Sequence, residues 1–218
     1  MYNQQRLQKT FCLLLLCFSA SMLRAQVNAG AYFSTFNLPG VQLRTNGFGI
    51  IGQYEVDKKT VCELSLAYFT KKLPTDSVSY LDAGANTTYI QYNDNYSFYH
   101  VSADFIKYLA GSTYHKTKFS FYMGGGASVL YRQTKTNYHT DPAQSQKDVF
   151  TTFGFEYIIG AEYKLGFARL FVRGKINFFL KYPVPIDDGT VIPLLVNTQG
   201  GILIPLIKHE KSHGRVVM

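Results

Sequence analysis

Three polar residues at alternate positions, His100, Ser102 and Asp104, are the strongest candidates for catalysis in the chain. A histidine base, a serine nucleophile and an acid form the set that some acyl hydrolases use, and such groups must lie within hydrogen-bond reach of one another. Residues i, i+2 and i+4 of a strand extend over about 13 Å. The spacing therefore favours a hydrogen-bonded polar network over a catalytic set, and we predict no catalytic residue. We also predict no cofactor and no metal site.

The element that positions these residues is a β-strand, because apolar and polar residues alternate with a period of two. The clearest example is 153–163, where Phe153, Phe155 and Tyr157 alternate with small or polar residues. Helix-period patterns are absent. Eight segments alternate in this way: 27–36, 42–56, 60–70, 95–108, 118–132, 153–163, 169–178 and 191–206.

The connections between these segments alternate in length. Short turns at 57–59, 109–117 and 164–167 fall on one edge, and the long polar segments 71–94 and 133–149 fall on the other. This is the arrangement of an outer-membrane barrel with short periplasmic turns and longer outer loops. We therefore predict an all-β fold, an eight-stranded antiparallel up-and-down transmembrane β-barrel.

The polar faces of the strands carry mainly small residues, which suit the narrow interior of an eight-stranded barrel. Centring one hairpin on Leu165-Gly166 places Glu162 opposite Arg169 and Glu156 opposite Lys175, as pairs of opposite charge inside the lumen. The predicted polar network of the lumen consists of Glu63, His100, Ser102, Asp104, Glu156, Glu162, Arg169, Arg173 and Lys175.

Two other interpretations remain open from these residues. A soluble periplasmic barrel that binds an apolar ligand alternates too, but its apolar face points inward. A narrow, porin-like solute channel is the second alternative, because the many glycines on the lumen face leave room for water.

Aromatic residues cluster toward the strand ends, as the interfacial girdle of a membrane barrel does. Lys107 and Arg44 have the parity of the lipid-facing side, which is tolerable only near the ends of the strands. The predicted girdle residues are Tyr54, Tyr68, Phe69, Tyr96, Tyr99, Tyr108, Tyr131, Tyr163 and Phe178.

The first 25 residues have the features of a cleaved secretory signal. Arg6 and Lys9 precede an apolar run that is too short to span a bilayer, and Ala25 is a small residue at the cleavage position. Removing three of the 22 basic residues leaves 19 against 14 acidic residues, a net charge of +5. The basic residues form no stripe, so we predict no nucleic-acid partner.

Cleavage also leaves Cys62 as the single cysteine, so no intramolecular disulfide is expected. The predicted domains are the signal 1–25, the barrel 26–207 and a polar C-terminal tail 208–218.

The mature chain resembles the small outer-membrane β-barrel domain proteins of Gram-negative bacteria, the porin-family-like or PorT-type group. The resemblance lies in the signal ending Arg24-Ala25-Gln26, the Gly-rich aromatic strand from Phe121 to Ala127 and the hairpin 153–180. One difference is that the last strand, ending near Leu206, lacks the terminal aromatic usual in such barrels.

The resemblance implies an outer-membrane protein surrounded by lipid. A non-enzymatic role is expected, structural or in binding an envelope or extracellular partner through loops 71–94 and 133–149. Amphipathic tyrosine rings supply contact area at low entropic cost. The candidate contact residues of these loops are Tyr80, Tyr89, Tyr92 and Tyr138.

Overall fold

The computed structural model describes residues 26–39, 43–81, 87–112, 117–139, 145–181 and 194–207. The predicted signal and polar tail lie outside these ranges. Within them, no helix is long and apolar enough to cross a membrane. The strands are β1 (Val27–Leu38), β2 (Leu43–Glu55), β3 (Thr60–Lys72), β4 (Asp76–Leu81), β5 (Thr87–Ala110), β6 (Phe119–Tyr138), β7 (Gln146–Lys164), β8 (Arg169–Phe179) and β9 (Leu194–Ile207).

All strand pairs are antiparallel, and the sheet order is β3-β2-β1-β9-β8-β7-β6-β5-β4. β3 also pairs with β5 from Thr60↔Lys107 to Lys72↔Asn95, so eight strands form a continuous ring of hydrogen-bonded pairs. β4 pairs with β5 beyond this ring. The predicted all-β, eight-stranded antiparallel barrel is confirmed.

The two faces of the sheet differ in the predicted sense. Along β8, Arg173 and Lys175 are buried inside the ring, while Val172 and Ile176 are exposed on its outer surface. Phe155 on β7 is 68% exposed. An apolar outer band around a charged interior is the polarity of a membrane barrel, so the alternative of a soluble barrel with an apolar ligand is wrong.

The β7–β8 hairpin has a different register from the predicted one. Lys164 pairs with Arg169, and the turn closes with a hydrogen bond from the Leu165 amide to the Ala168 carbonyl at 2.8 Å. Gly166 in this turn has a φ of 72°, which glycine adopts at no steric cost. Glu162 therefore lies opposite Phe171, and the predicted direct pairing with Arg169 is wrong.

The segments predicted as the loops 71–94 and 133–149 are largely strands. β3 continues through a bulge at 73–75 into β4, because Lys72 pairs with Asn95 and Asp76 pairs with Tyr92. β5 has 24 residues and β8 only 11, so one side of the barrel rises above the other. We call the raised part, β4 with 87–95 of β5, 133–138 of β6 and 146–152 of β7, the projecting wall.

The predicted aromatic girdle is correct only in part. Tyr68, Tyr99 and Tyr131 occupy one row across β3, β5 and β6, with ring centroids 5.0 and 5.8 Å apart on the outer surface. Phe69, Tyr96 and Tyr108 are instead buried inside the barrel. The lumen holds aromatic rings as well as polar groups, so the type of a side chain alone does not show which face of the sheet it occupies. Lys107 and Arg44 are exposed near the strand ends, as expected.

A charge placed in the middle of the outer band tests its contact with lipid. Phe155 lies level with Ala103, midway between the Tyr99 row and Lys107. Phe155→Arg is expected to lower the free energy of unfolding by about 2–4 kcal/mol in lipid vesicles, since Arg is costly at the midplane. A urea titration of the vesicle-embedded protein measures this.

The control is Thr151→Arg, on the same face of the same strand and level with Tyr131. Near the interface the cost should fall to about 0–1 kcal/mol. Equal effects at the two positions would contradict burial of the outer band in lipid.

Candidate functional site: the charged barrel interior

Three acids lie in a single row on the lumen side of the sheet. Glu63 pairs with Asp104, and Asp104 is separated from Glu156 by Gly126 on the intervening strand. A Cβ atom at position 126 would clash with the Ala103 carbonyl oxygen and with Asp104 Oδ1, so only glycine fits beside this carboxylate. The row concentrates negative charge in the middle of the lumen.

Lys175 on β8 pairs with two acids of this row. Its Nζ donates to Glu156 Oε1 at 2.6 Å, to Asp104 Oδ2 at 2.7 Å and to Ser102 Oγ at 3.0 Å. The side chain is 0% exposed, so the ammonium group has exchanged its water shell for these oxygens.

Arg173 forms a second bridge across the lumen. Its Nη1 lies 2.6 Å from Glu63 Oε1, and its Nε donates to Gln199 at 2.6 Å. The guanidinium also lies over the rings of Tyr32 and Phe171, at 5.8 and 5.0 Å from their centroids. β8 and β3 are four strands apart in either direction, so this pair joins opposite sides of the ring.

A third group closes the end with the short turns. Arg169 contacts Glu55 at 3.0 Å and Glu162 at 3.4 Å, and the Tyr108 hydroxyl donates to Glu162 at 2.6 Å. The sequence analysis missed Glu55 and assigned Tyr108 to the girdle. Glu55 has the same parity as the lumen residue Gln53, a signal that was available in the sequence.

The sequence-predicted ion pairs exist as diagonal contacts. The register differs by two residues from the predicted one, which preserves the faces but moves each pair along the strand. Glu162 reaches Arg169, and Glu156 reaches Lys175, from neighbouring rows. The prediction of direct cross-strand pairs is therefore wrong, although both ion pairs form.

The residues His100, Ser102 and Asp104 are together but do not form a nucleophile–base pair. Ser102 Oγ lies 2.9 Å from Asp104 Oδ2 and 2.7 Å from Ser65 Oγ, while His100 Nε2 lies 3.6 Å from Glu156 Oε2. No Ser102–His100 hydrogen bond occurs among the described contacts. All of these side chains are buried, so a substrate has no access to them.

Aromatic and aliphatic side chains fill the lumen on the side of the long connections. The Phe36 ring packs against those of Phe69 and Phe98 at 4.9 and 4.7 Å, and all three are fully buried beside Leu130 and Leu195. Among the described residues, the lumen is filled by this cluster and by the ion pairs beneath it.

The loop tyrosines do not share one surface. Tyr92 and Tyr138 face each other in the projecting wall, with ring centroids 6.3 Å apart, on the side continuous with the lumen face. Tyr89 has the opposite parity and is exposed on the other side. Tyr80 lies in β4 opposite Thr88, and its side chain is outside the described part of the structure.

Removing the ammonium group of Lys175 should destabilise the barrel strongly. Lys175→Met leaves Asp104 and Glu156 buried without their cation, which costs about 3–5 kcal/mol when one member of a buried pair is lost. Urea unfolding in lipid vesicles measures the change.

The matched control adds Asp104→Asn and Glu156→Gln to Lys175→Met. Removing these three charges together leaves Glu63 paired with Arg173 and should restore most of the lost stability, since the penalty arises from unpaired buried charge. If the single variant were as stable as the wild type, the interior ion pairs would not hold the barrel.

Comparisons with known proteins agree with this geometry. The family model described as outer membrane protein beta-barrel domain matches residues 10–190. The chain is similar in structure to the Neisserial surface protein A, with 13% identity and a TM-score of 0.52 over 83% of this chain and 96% of that one. It is also similar to a major outer membrane protein from Thermus thermophilus, with 11% identity and a TM-score of 0.53 over 82% of this chain and 99% of that one.

No curated protein matches the chain. The identities to the solved structures are low and show the fold alone, whereas the family model spans most of the sequence. Its match agrees with the closed antiparallel sheet and its apolar outer band. The protein therefore belongs to the outer membrane protein beta-barrel domain family and is located in the outer membrane of a Gram-negative bacterium.

Proposed function

We propose that the protein is a non-enzymatic, surface-exposed barrel that binds a partner through the projecting wall. One observation supports this proposal: paired tyrosines and carboxylates lie together on one side of the wall, the side that is continuous with the lumen face. The strands of the wall are continuations of strands that are hydrogen-bonded in the barrel, so the wall holds this surface in a fixed geometry.

The surface is built around Tyr92 and Tyr138, which occupy one cross-strand pair. Together with Ile90, Asp94 and Thr136 they line a shallow depression. Asp94 accepts a hydrogen bond from the Thr136 hydroxyl at 2.6 Å, which fixes the orientation of this lining carboxylate. Asp76 pairs with Tyr92 from the other side and adds a second carboxylate.

These groups suit a partner segment that carries basic side chains beside apolar ones. Tyrosine rings attract cations over their faces and offer rigid apolar area. Asp76 and Asp94 supply the opposite charge. We therefore propose a polypeptide with exposed Arg or Lys residues as the partner, outside the cell or in the envelope.

The filled interior supports an interaction role over the solute-channel alternative. Phe36, Phe98 and Leu195 are fully buried across the lumen, and the ion pairs occupy the space beneath them. We expect the refolded protein to show no conductance in planar bilayers. Discrete single-channel currents that respond to substitution of Phe98 would favour the channel.

Selection from a displayed random-peptide library tests the proposed surface. The protein in lipid nanodiscs should enrich peptides that contain Arg or Lys beside apolar residues. The double variant Tyr92→Ala/Tyr138→Ala should weaken binding of an enriched peptide by about tenfold or more, measured by fluorescence anisotropy.

Tyr89→Ala is the matched control, because Tyr89 is on the opposite side of the same wall. It should leave the affinity unchanged. Failure to enrich basic peptides, or equal binding by the double variant and the wild type, would count against this surface.

A further inference from the structure

A row of basic residues crosses the base of the projecting wall on the side opposite the paired tyrosines and continues onto β3. Lys72 pairs with Asn95, Asn95 pairs with Lys135, and Lys135 pairs with Lys147, so the four residues occupy one level on β3, β5, β6 and β7. Directly paired residues point to the same face of a sheet. Their parity matches Tyr68, Tyr99 and Tyr131, which places the row on the lipid side, and the three lysines are exposed.

Within the described ranges, the positive charge of this row is not balanced by neighbouring acids. Lys135 and Lys147 lie directly opposite each other, an arrangement in which like charges about 5 Å apart destabilise a sheet. The nearby acids Asp94 and Asp148 have the other parity, and Asp148 forms its ion pair with Arg132. Among the described residues, no carboxylate lies within ion-pair distance of the three lysines.

The height of the row corresponds to the lipid headgroups. Lys135 is four residues beyond Tyr131 of the aromatic girdle, roughly 13 Å along the strand, or about 10 Å along the membrane normal for a strand tilted by about 40°. Tyrosine rings lie at the edge of the hydrocarbon core, and the headgroup region extends outward from there. Lysine ammonium groups at this level are within reach of lipid phosphates.

The side chains below the row continue the site toward the hydrocarbon core. On β7, Lys147 is followed on the same face by Val149, which is 53% exposed, then by Thr151 and by exposed Phe153. A lipid whose phosphate contacts Lys147 can lay an acyl chain along Val149 and Phe153. A free phosphate would gain nothing from these apolar contacts.

We propose that Lys72, Lys135 and Lys147 bind the phosphate groups of an anionic lipid in the outer leaflet of the membrane. Lys135 and Lys147 are adjacent and clamp one phosphate between them, which relieves their mutual repulsion. Lys72 lies two strands from Lys135, roughly 10 Å away, and reaches a second phosphate. The Asn95 side chain lies between them and adds a hydrogen-bond donor. A headgroup with two phosphates therefore fits best.

This site is separate from the proposed partner surface, because the two lie on opposite faces of the wall. The test of the lipid site and the test of the partner surface can therefore give opposite results. The lipid site also makes a different prediction, since its ligand belongs to the membrane in which the barrel is embedded.

The test uses the full mature protein refolded into phosphatidylcholine vesicles with and without bisphosphorylated lipid A. A ligand that binds only the folded state raises the unfolding temperature. We expect lipid A to raise the temperature at which the folded band disappears on unheated gels by about 3 °C or more. The rise should shrink at high salt, where exposed charges are screened.

The triple variant Lys72→Gln/Lys135→Gln/Lys147→Gln should lose this rise. The matched control, Lys58→Gln/Lys59→Gln/Lys118→Gln, removes the same charge at the short-turn end and should keep it. Lys135→Gln alone removes the like-charge pair and should stabilise the protein in pure phosphatidylcholine, which checks that the variants fold.

Two further additions distinguish the source of the phosphate. Inorganic phosphate at millimolar concentration should give no rise, and lipid A without its phosphates should give none either. An equal rise in the triple variant and the wild type, or a rise with inorganic phosphate alone, would overturn the lipid site.

Discussion

Pairing of charges across a narrow lumen is the interaction on which the rest of this barrel depends. A chain whose apolar side chains face lipid cannot hold its interior together by burying apolar surface alone. The charges buried in its lumen have to pair with one another, because a buried charge without a partner costs several kcal/mol. β8 supplies the cations, and Arg173 reaches Glu63 on the opposite side of the ring. These crossing pairs hold distant strands at a fixed separation, which ladder hydrogen bonds between neighbours cannot do.

The lumen can be filled in this way only where the backbone leaves space for long side chains. Gly126 admits the carboxylate of Asp104, and Gly160 lies where a Cβ would meet the Tyr122 ring at 2.6 Å. Among the described residues, the small side chains on the lumen face complement the large ones that pack against them. A glycine-rich polar face is therefore compatible with a packed lumen as well as with a channel. The missing side chain at Gly126 leaves space for the Asp104 carboxylate, which accepts a hydrogen bond from Lys175.

The residues predicted the strands and their polarity because lipid imposes a strict alternation on both faces. Phe155 and Glu156 have opposite environments, and their types reveal this directly. The register of the β7–β8 hairpin could not be predicted from the alternation. A shift of two residues keeps every side chain on its face, so pairing Glu162 with Arg169 or with Phe171 satisfies the pattern equally well. The projecting wall was missed for a related reason. Above the hydrocarbon core neither face packs against lipid tails, so the alternation of apolar and polar residues disappears from the sequence while the backbone pairing, as in Asp76↔Tyr92, continues.

The wall inherits two chemically distinct faces from the barrel below it. The strands continue beyond the membrane surface with the same two faces. There, neither the lipid tails nor the packing of the lumen selects the side chains. The lumen-side face keeps carboxylates such as Asp94, and the lipid-side face takes lysines such as Lys135 and Lys147. Such segregation is not required for solubility, since mixed charges would serve that better. It is expected if each face meets a different neighbour, a lipid headgroup outside and a basic polypeptide inside. Lipid bound at Lys147 would then hold the edge of β7 against the membrane surface and steady the wall that presents Tyr92 and Tyr138.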